Sequence, residues 1–149
     1  MKKVIILCLL ILTLSGCVNK KAETVVCSIS DQGEELTDTL ETKGDKIEVS
    51  TLVAVSDYTV EMAEEGYTEE DLEIIHELRK AKYANLDGVK YEYEIDGAII
   101  TETLKTDYSK TSFKELYKAE LLDSPDADYI SLKQTIKNYK TNGITCKTK

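Results

Sequence analysis

Histidine occurs once in this 149-residue chain, at position 76, and that scarcity removes several chemistries. A zinc site needs His or Cys in number, and a Cys–His nucleophile needs a free thiol beside its base. Tryptophan is absent, so the ring on which sugar rings stack is missing. No Gly-x-Ser-x-Gly elbow occurs either. A single proline beside nine tyrosines does not suggest disorder or a repeat array. Basic residues are outnumbered, 19 against 28 acidic. Such a surface repels nucleic acid and anionic lipid. Long apolar runs are lacking too. Residues 4–12 are uninterrupted, but a membrane-spanning helix needs about 20 apolar residues.

What is present begins at the N-terminus. Lys2-Lys3, the short apolar run and Leu14-Ser15-Gly16-Cys17 follow in the order of a secretory signal. The closing tetrapeptide resembles the lipobox of bacterial lipoproteins. There a diacylglyceryl group joins the cysteine sulfur and cleavage makes that cysteine the new N-terminus. The expectation is residues 1–16 as signal peptide, Cys17 as lipidation site, 17–23 as lipidated tether and 24–149 as one domain. The membrane is then a partner through the lipid, a palmitate-type modification, and the domain sits on the extracytoplasmic face. Two acyl chains anchor stably where one is marginal. Loss of Lys2 and Lys3 with the signal takes the net charge from −9 to −11.

Cys8 leaves with the signal and Cys17 carries lipid, so Cys27 and Cys146 remain. Outside the cytoplasm they are expected to form a disulfide. The alternative is two unpaired buried thiols.

Along the chain, residues 24–30, 36–42 and 46–57 alternate as strands joined by Asp31-Gln32-Gly33 and Lys43-Gly44-Asp45, an antiparallel meander. Ile47, Val49, Thr51, Val53 and Val55 fall on one face of the third run. Thr68 caps a helix running to about Leu86, with acids in its first turn. Its apolar arc is Leu72, Ile75, Leu78, Tyr83 and Leu86. Val89, Tyr91, Tyr93 and Ile95 form the inner face of a strand, and Asp96-Gly97 turns it into a partner over 98–107. Capping-box spacing at Ser112–Glu115 and Ser131–Gln134 starts two further helices, and 144–146 is a last short strand. These elements predict an α+β domain, an antiparallel sheet of about five to six strands with two or three helices packed mostly on one face.

At these residues the chain resembles the YehR-like lipoproteins, a small bacterial family of unknown function. The landmarks are the lipobox at Cys17, Lys43-Gly44-Asp45-Lys46, Thr68-Glu69-Glu70-Asp71, residues 82–89 (KYANLDGV), residues 107–116 (DYSKTSFKEL) and Ile130-Ser131-Leu132. They span most of the mature chain. The resemblance implies a shared fold and transfers no catalytic residue, because most of these landmarks are turns and caps. The Cys27/Cys146 pair lies outside that pattern.

Candidate chemistry is sparse. His76 reads as a surface side chain beside Glu73 and Lys80 in preference to a general base. The acids of 61–77, namely Glu61, Glu64, Glu65, Glu69, Glu70, Asp71, Glu73 and Glu77, read as a solvated face and lack calcium-loop or paired-acid spacing. Asp123, Asp126 and Asp128 lack the calcium-loop glycine pattern as well. Tyr91 and Tyr93 read as core. Tyr58 and Tyr67 flank the acidic stretch and, if exposed, suit contact with an envelope protein partner. The expected function is a non-enzymatic binding or envelope-structural module with no catalytic, metal or cofactor residues. The alternatives are a carboxylate-based extracytoplasmic hydrolase and a small-solute or cation binder.

Overall fold

The structure is a computed structural model and describes residues 21–31 and 33–149. The lipobox, Cys17 and Lys20 therefore lie outside the described residues. The order is β1 (Ala22–Asp31), β2 (Glu34–Lys43), β3 (Lys46–Asp57), α1 (Thr59–Glu65), α2 (Glu69–Tyr83), β4 (Val89–Asp96), β5 (Ile99–Asp107), α3 (Phe113–Lys118), β6 (Ile130–Ser131), α4 (Leu132–Thr141) and β7 (Thr145–Thr148). The sheet runs β4-β5-β3-β2-β1-β7, all neighbours antiparallel, with β6 paired to the start of β3. It is an α+β domain with an open sheet. No helix among the described residues is long and apolar enough to cross a membrane.

Pairing fixes which side chains share a face. Cys27 lies opposite Asp38, Asp38 opposite Leu52, Leu52 opposite Leu104, and Leu104 opposite Tyr91. Because side chains alternate along a strand, these residues define one face, and it is the face the helices cover. The odd-numbered face expected for β3 is corrected by a bulge. Glu41 pairs with Val49 but Thr42 pairs with Ile47, so Glu48 is an extra residue. A bulge shifts the alternation by one. Ile47 therefore joins Ser50, Leu52 and Ala54 under the helices, while Val49, Thr51, Val53 and Val55 line the opposite face.

β1 begins at Ala22, so Ala22 and Glu23, assigned to the tether from the sequence, already pair with Lys43 and Thr42. The hairpin between β4 and β5 turns on Gly97-Ala98, one residue later than expected, with Gly97 at φ +61°. Cys27 and Cys146 are directly opposed in β1 and β7 and form a disulfide, with Cα atoms 3.9 Å apart. The bridge closes the C-terminal edge strand onto the first one. Beneath it Val25, Cys27, Leu40 and Ile47 form a core against which α4 packs Leu132, Ile136 and Tyr139.

The helices are placed by local contacts. Thr68 and Asp71 close a reciprocal capping box at the start of α2. Ser112 makes no side-chain cap on α3, contrary to its spacing. α4 is pinned from a distance. Asp45, in the β2–β3 turn, accepts from Ser131 Oγ and from the backbone N–H of Lys133, each at 2.9 Å. Two family landmarks thus meet at one helix cap. Two others meet at Gly88, whose φ is +77°. A Cβ there would lie 2.7 Å from the Asp107 carbonyl, so only glycine fits.

α2 departs most from its predicted orientation. Leu72 and His76 are its buried residues, while Ile74, Ile75 and Leu78 are exposed, Leu78 to 68%. His76 is only 1% exposed. Leu72 and the half-buried Tyr83 stay on the covered face as predicted, while His76 takes the place expected for Ile75 and Leu78, so the helix is turned from the predicted arc by well under the about 100° of one residue.

Candidate functional site: a cleft over the central strands

α2 packs on β4 at one edge of the sheet, and α4 packs toward β7 at the other. Leu52 and Leu104 lie between them on the helix-covered face and remain only partly covered. Two adjoining cavities result, of about 420 and about 360 Å³, sharing Leu52, Leu104 and Glu120. Both volumes fall in the range of small-molecule sites, roughly 300–1,000 Å³. A polar cluster stands at each end of this apolar floor.

At the α2 end, Glu102 Oε1 accepts from the Tyr91 hydroxyl at 2.5 Å and from Arg79. His76 Nδ1 lies 2.6 Å from the same hydroxyl and 3.4 Å from Glu102. Tyr91 has one proton and gives it to Glu102, so Nδ1 of His76 carries the hydrogen in this arrangement. Burial holds the His76 pKa below its ordinary value, against the pull of Glu102. Burial, the hydrogen bond to Glu102 and its charge push the Tyr91 phenol up. Tyr93 stacks on His76 with centroids 5.2 Å apart and donates to Glu77 at 2.7 Å. That bond raises the Tyr93 phenol to about 12. Lys82 of α2 reaches across the mouth to Glu120, 2.5 Å away, just beyond α3. Glu120 is the one non-glycine described residue with positive φ, at +62°.

At the α4 end stands Asp38, 3% exposed. Its Oδ1 accepts from Ser50 Oγ and its Oδ2 from the Tyr139 hydroxyl, both at 2.7 Å. Burial and the neighbouring Asp38 raise the Tyr108 phenol to about 12 and push Tyr139 up as well. Ser50 beside a carboxylate has the form of an activated nucleophile. Its surroundings do not complete one. Ser50 sits mid-strand, paired to Leu40 on one side and Thr106 on the other, so its backbone lies within the sheet ladder. An oxyanion hole needs N–H groups aimed at a reacting atom.

The sequence candidates fall differently. Tyr91 and Tyr93 do lie on the inner face, as the alternation indicates, and carry the α2-end cluster. His76, read as a surface residue, is the buried centre of that cluster. Tyr58 is half-buried and its phenol is raised by burial and by Glu102, so it faces the same cluster, while Tyr67 is exposed. The acids of 61–77 stay at the surface, apart from the half-buried Glu61. Among the described residues no three His, Cys, Asp or Glu are grouped to hold a metal. Asp123 lines the larger cavity. Asp38 and Glu102 were missed. The available signal was a polar residue at an inward position, Asp38 between Leu36 and Leu40 and Glu102 between Ile100 and Leu104.

Residues 23–145 match a family described as a protein of unknown function, DUF1307. An uncharacterised lipoprotein of Listeria innocua is 32% identical over 128 residues, covering 83% of this chain and 80% of the relative. The NMR structure of the Escherichia coli YehR protein matches with a TM-score of 0.68 at 24% identity, over 85% of this chain and 91% of that one. An NMR structure of a protein from Streptococcus pneumoniae TIGR4 matches with a TM-score of 0.56 at 17% identity, over 99% and 96%. The chain belongs to the DUF1307 family, the YehR-like lipoproteins of unknown function.

Proposed function

We propose that this member of the DUF1307 family is a lipid-anchored, extracytoplasmic binding module and not an enzyme. Residues 1–16 are removed, Cys17 carries the lipid, and the domain from β1 onward presents the cleft over Leu52 and Leu104 to solutes outside the membrane. The observation that carries the binding reading is the state of the cleft's charged groups. Glu102 is held by Arg79 and Tyr91, Asp38 by Ser50 and Tyr139, and Glu120 by Lys82. A general base or nucleophile needs a partner it can exchange with substrate. These groups instead hold one another and frame an apolar floor, the composition of a recognition site.

The anchor is supported by the lipobox and by the lipoprotein relative in Listeria innocua. Topology suits it. β1 starts within five residues of Cys17, so the domain stands within about 20 Å of the lipid. Cys17→Ser should abolish labelling by fatty acid and leave an unprocessed precursor. Normal processing and labelling of that variant would refute the anchor. For the cleft, Leu52→Trp should fill the floor without unfolding the sheet and should reproduce the phenotype of deleting the chain. A fully functional Leu52→Trp protein would refute the cleft as the working site.

A further inference from the structure

Asp38 is buried, lines the larger cavity, and has no cation beside it. None of the residues lining that cavity is lysine or arginine, whereas Asp38, Glu120 and Asp123 all line it. No ion pair among the described residues includes Asp38. Its two hydrogen bonds come from hydroxyls, which satisfy acceptors without supplying positive charge. A carboxylate offers about four acceptor positions, and two are used. A buried carboxylate is stabilised most by a cation that arrives with hydrogen-bond donors.

The rest of the cavity decides what kind of cation. A bare divalent ion takes six to eight oxygens or an octahedral set largely of water and carboxylate. One buried carboxylate over a floor of Leu40, Leu52, Leu104 and Leu116 does not offer that. The floor suits an aliphatic or aromatic body instead. Tyr108 and Tyr139 line the same cavity, and a phenol is neutral at physiological pH. Neutral aromatic faces attract ammonium groups. The cavity of about 420 Å³ has room for a small molecule of that shape.

We infer that the cavity between the sheet and α3–α4 binds an organic ammonium compound, its cationic head at Asp38 between Tyr108 and Tyr139 and its apolar body over Leu52 and Leu104. This rests on the binding reading above and names its ligand class. Asp123 at the cavity's edge adds a second carboxylate of the sign that favours a cationic ligand, whereas Glu120 is paired with Lys82.

The test uses the full lipoprotein in zwitterionic nanodiscs, with leucine methyl groups labelled for NMR. n-Hexylammonium, 1-hexanol and hexanoate are titrated separately. They share a chain and differ in charge. Hexylammonium should shift the Leu52, Leu104 and Leu116 methyls saturably and bind about tenfold or more tightly than hexanol, the worth of one charge-assisted hydrogen bond. Hexanoate should bind most weakly. Asp38→Asn should bring hexylammonium down to the level of hexanol. Equal binding of hexylammonium and hexanol, or tighter hexanoate, overturns the ammonium assignment and leaves the cleft standing as an apolar site. Silence of these methyls to all three probes overturns both. If Asp38→Asn fails to fold, the ranking of the three probes on the unaltered protein decides.

Discussion

Two carboxylates flank the same strand on the same face of this sheet, and their surroundings are opposite in kind. Glu102 borders Ala54 from β5, and Asp38 borders Leu52 from β2. Glu102 has Arg79, so its charge is neutralised within the protein. Asp38 has hydroxyls alone. Closed charge balance marks a structural joint. Here it fastens α2 to β4 and β5 through His76, Tyr91 and Arg79. Open charge balance beside an apolar floor is what the proposed ammonium ligand would complete. The two ends of one cleft therefore have different work, and that difference can be attacked experimentally.

The largest effect should come from the Asp38 end. Replacing Cys27 and Cys146 together by alanine removes a bridge spanning 119 residues of sequence. Loss of such a native bridge typically costs about 2–5 kcal/mol, measurable as a lower urea midpoint. Amide exchange should accelerate first in β1, β7 and α4, while α2 and β4 stay protected. Uniform acceleration would show that the two ends open as one unit.

Next in size is a direct comparison of the two carboxylates. Glu102→Gln leaves the Arg79 charge without its partner in a partly buried site. It should lose about 1–2 kcal/mol more than Asp38→Asn. In Asp38→Asn the Ser50 and Tyr139 hydroxyls can still bond the amide, and no cation is stranded. Equal losses would erase the distinction drawn between the two ends.

How much of this was legible follows from which interactions are local. Turns at Gly44, Gly88 and Gly97 and the capped start of α2 at Thr68 are written in adjacent residues, and the strand runs follow from alternation. The cysteine pair was reachable by elimination. The bulge at Glu48 was not, because it exists only in the pairing of β3 with β2. His76 was not either. Its burial depends on Tyr91 and Glu102, 15 and 26 positions away, and periodicity assigns an isolated imidazole to the surface. The cleft depends on where α2 and α4 fail to meet, and no single segment records that.

A smaller effect concerns pH and belongs to the Glu102 end alone. His76 has a folded-state pKa below its unfolded value, chiefly through burial and also through Arg79, against the opposing pull of Glu102. The unfolded chain then binds a proton that the folded chain resists. Stability is full above the unfolded value of about 6.5 and declines as pH falls from there through the folded value. Urea midpoints between pH 7.5 and 5 should show this decline. His76→Phe, which keeps a ring against Tyr93, should flatten it. A flat profile in the unaltered protein would mean that His76 titrates normally and that the joint is looser than its geometry. The depressed Asp107, at about 2 by its bonds to Ser109 and Lys110, acts only at far lower pH.

The smallest expected change, at Leu78, tests the orientation of α2 itself, on which the closed end depends, with Leu72 as its buried reference. Sequence periodicity puts Leu78 in the core and His76 outside, and the structure exchanges them. Leu72 is buried and Leu78 is 68% exposed on the same helix. Burial of a leucine side chain stabilises by roughly 1.5–3 kcal/mol relative to exposure, so the two positions should respond unequally. Leu72→Ala should cost about 2–5 kcal/mol. Leu78→Gln should change stability by less than about 0.5 kcal/mol, the usual range for surface substitutions. Glutamine is nearly as good a helix former as leucine, so propensity does not mask the result. A loss of several kcal/mol at Leu78→Gln would turn the helix back to its sequence-predicted face. His76 would then leave Tyr91, and the contrast between a neutralised Glu102 and an uncompensated Asp38 would have to be redrawn.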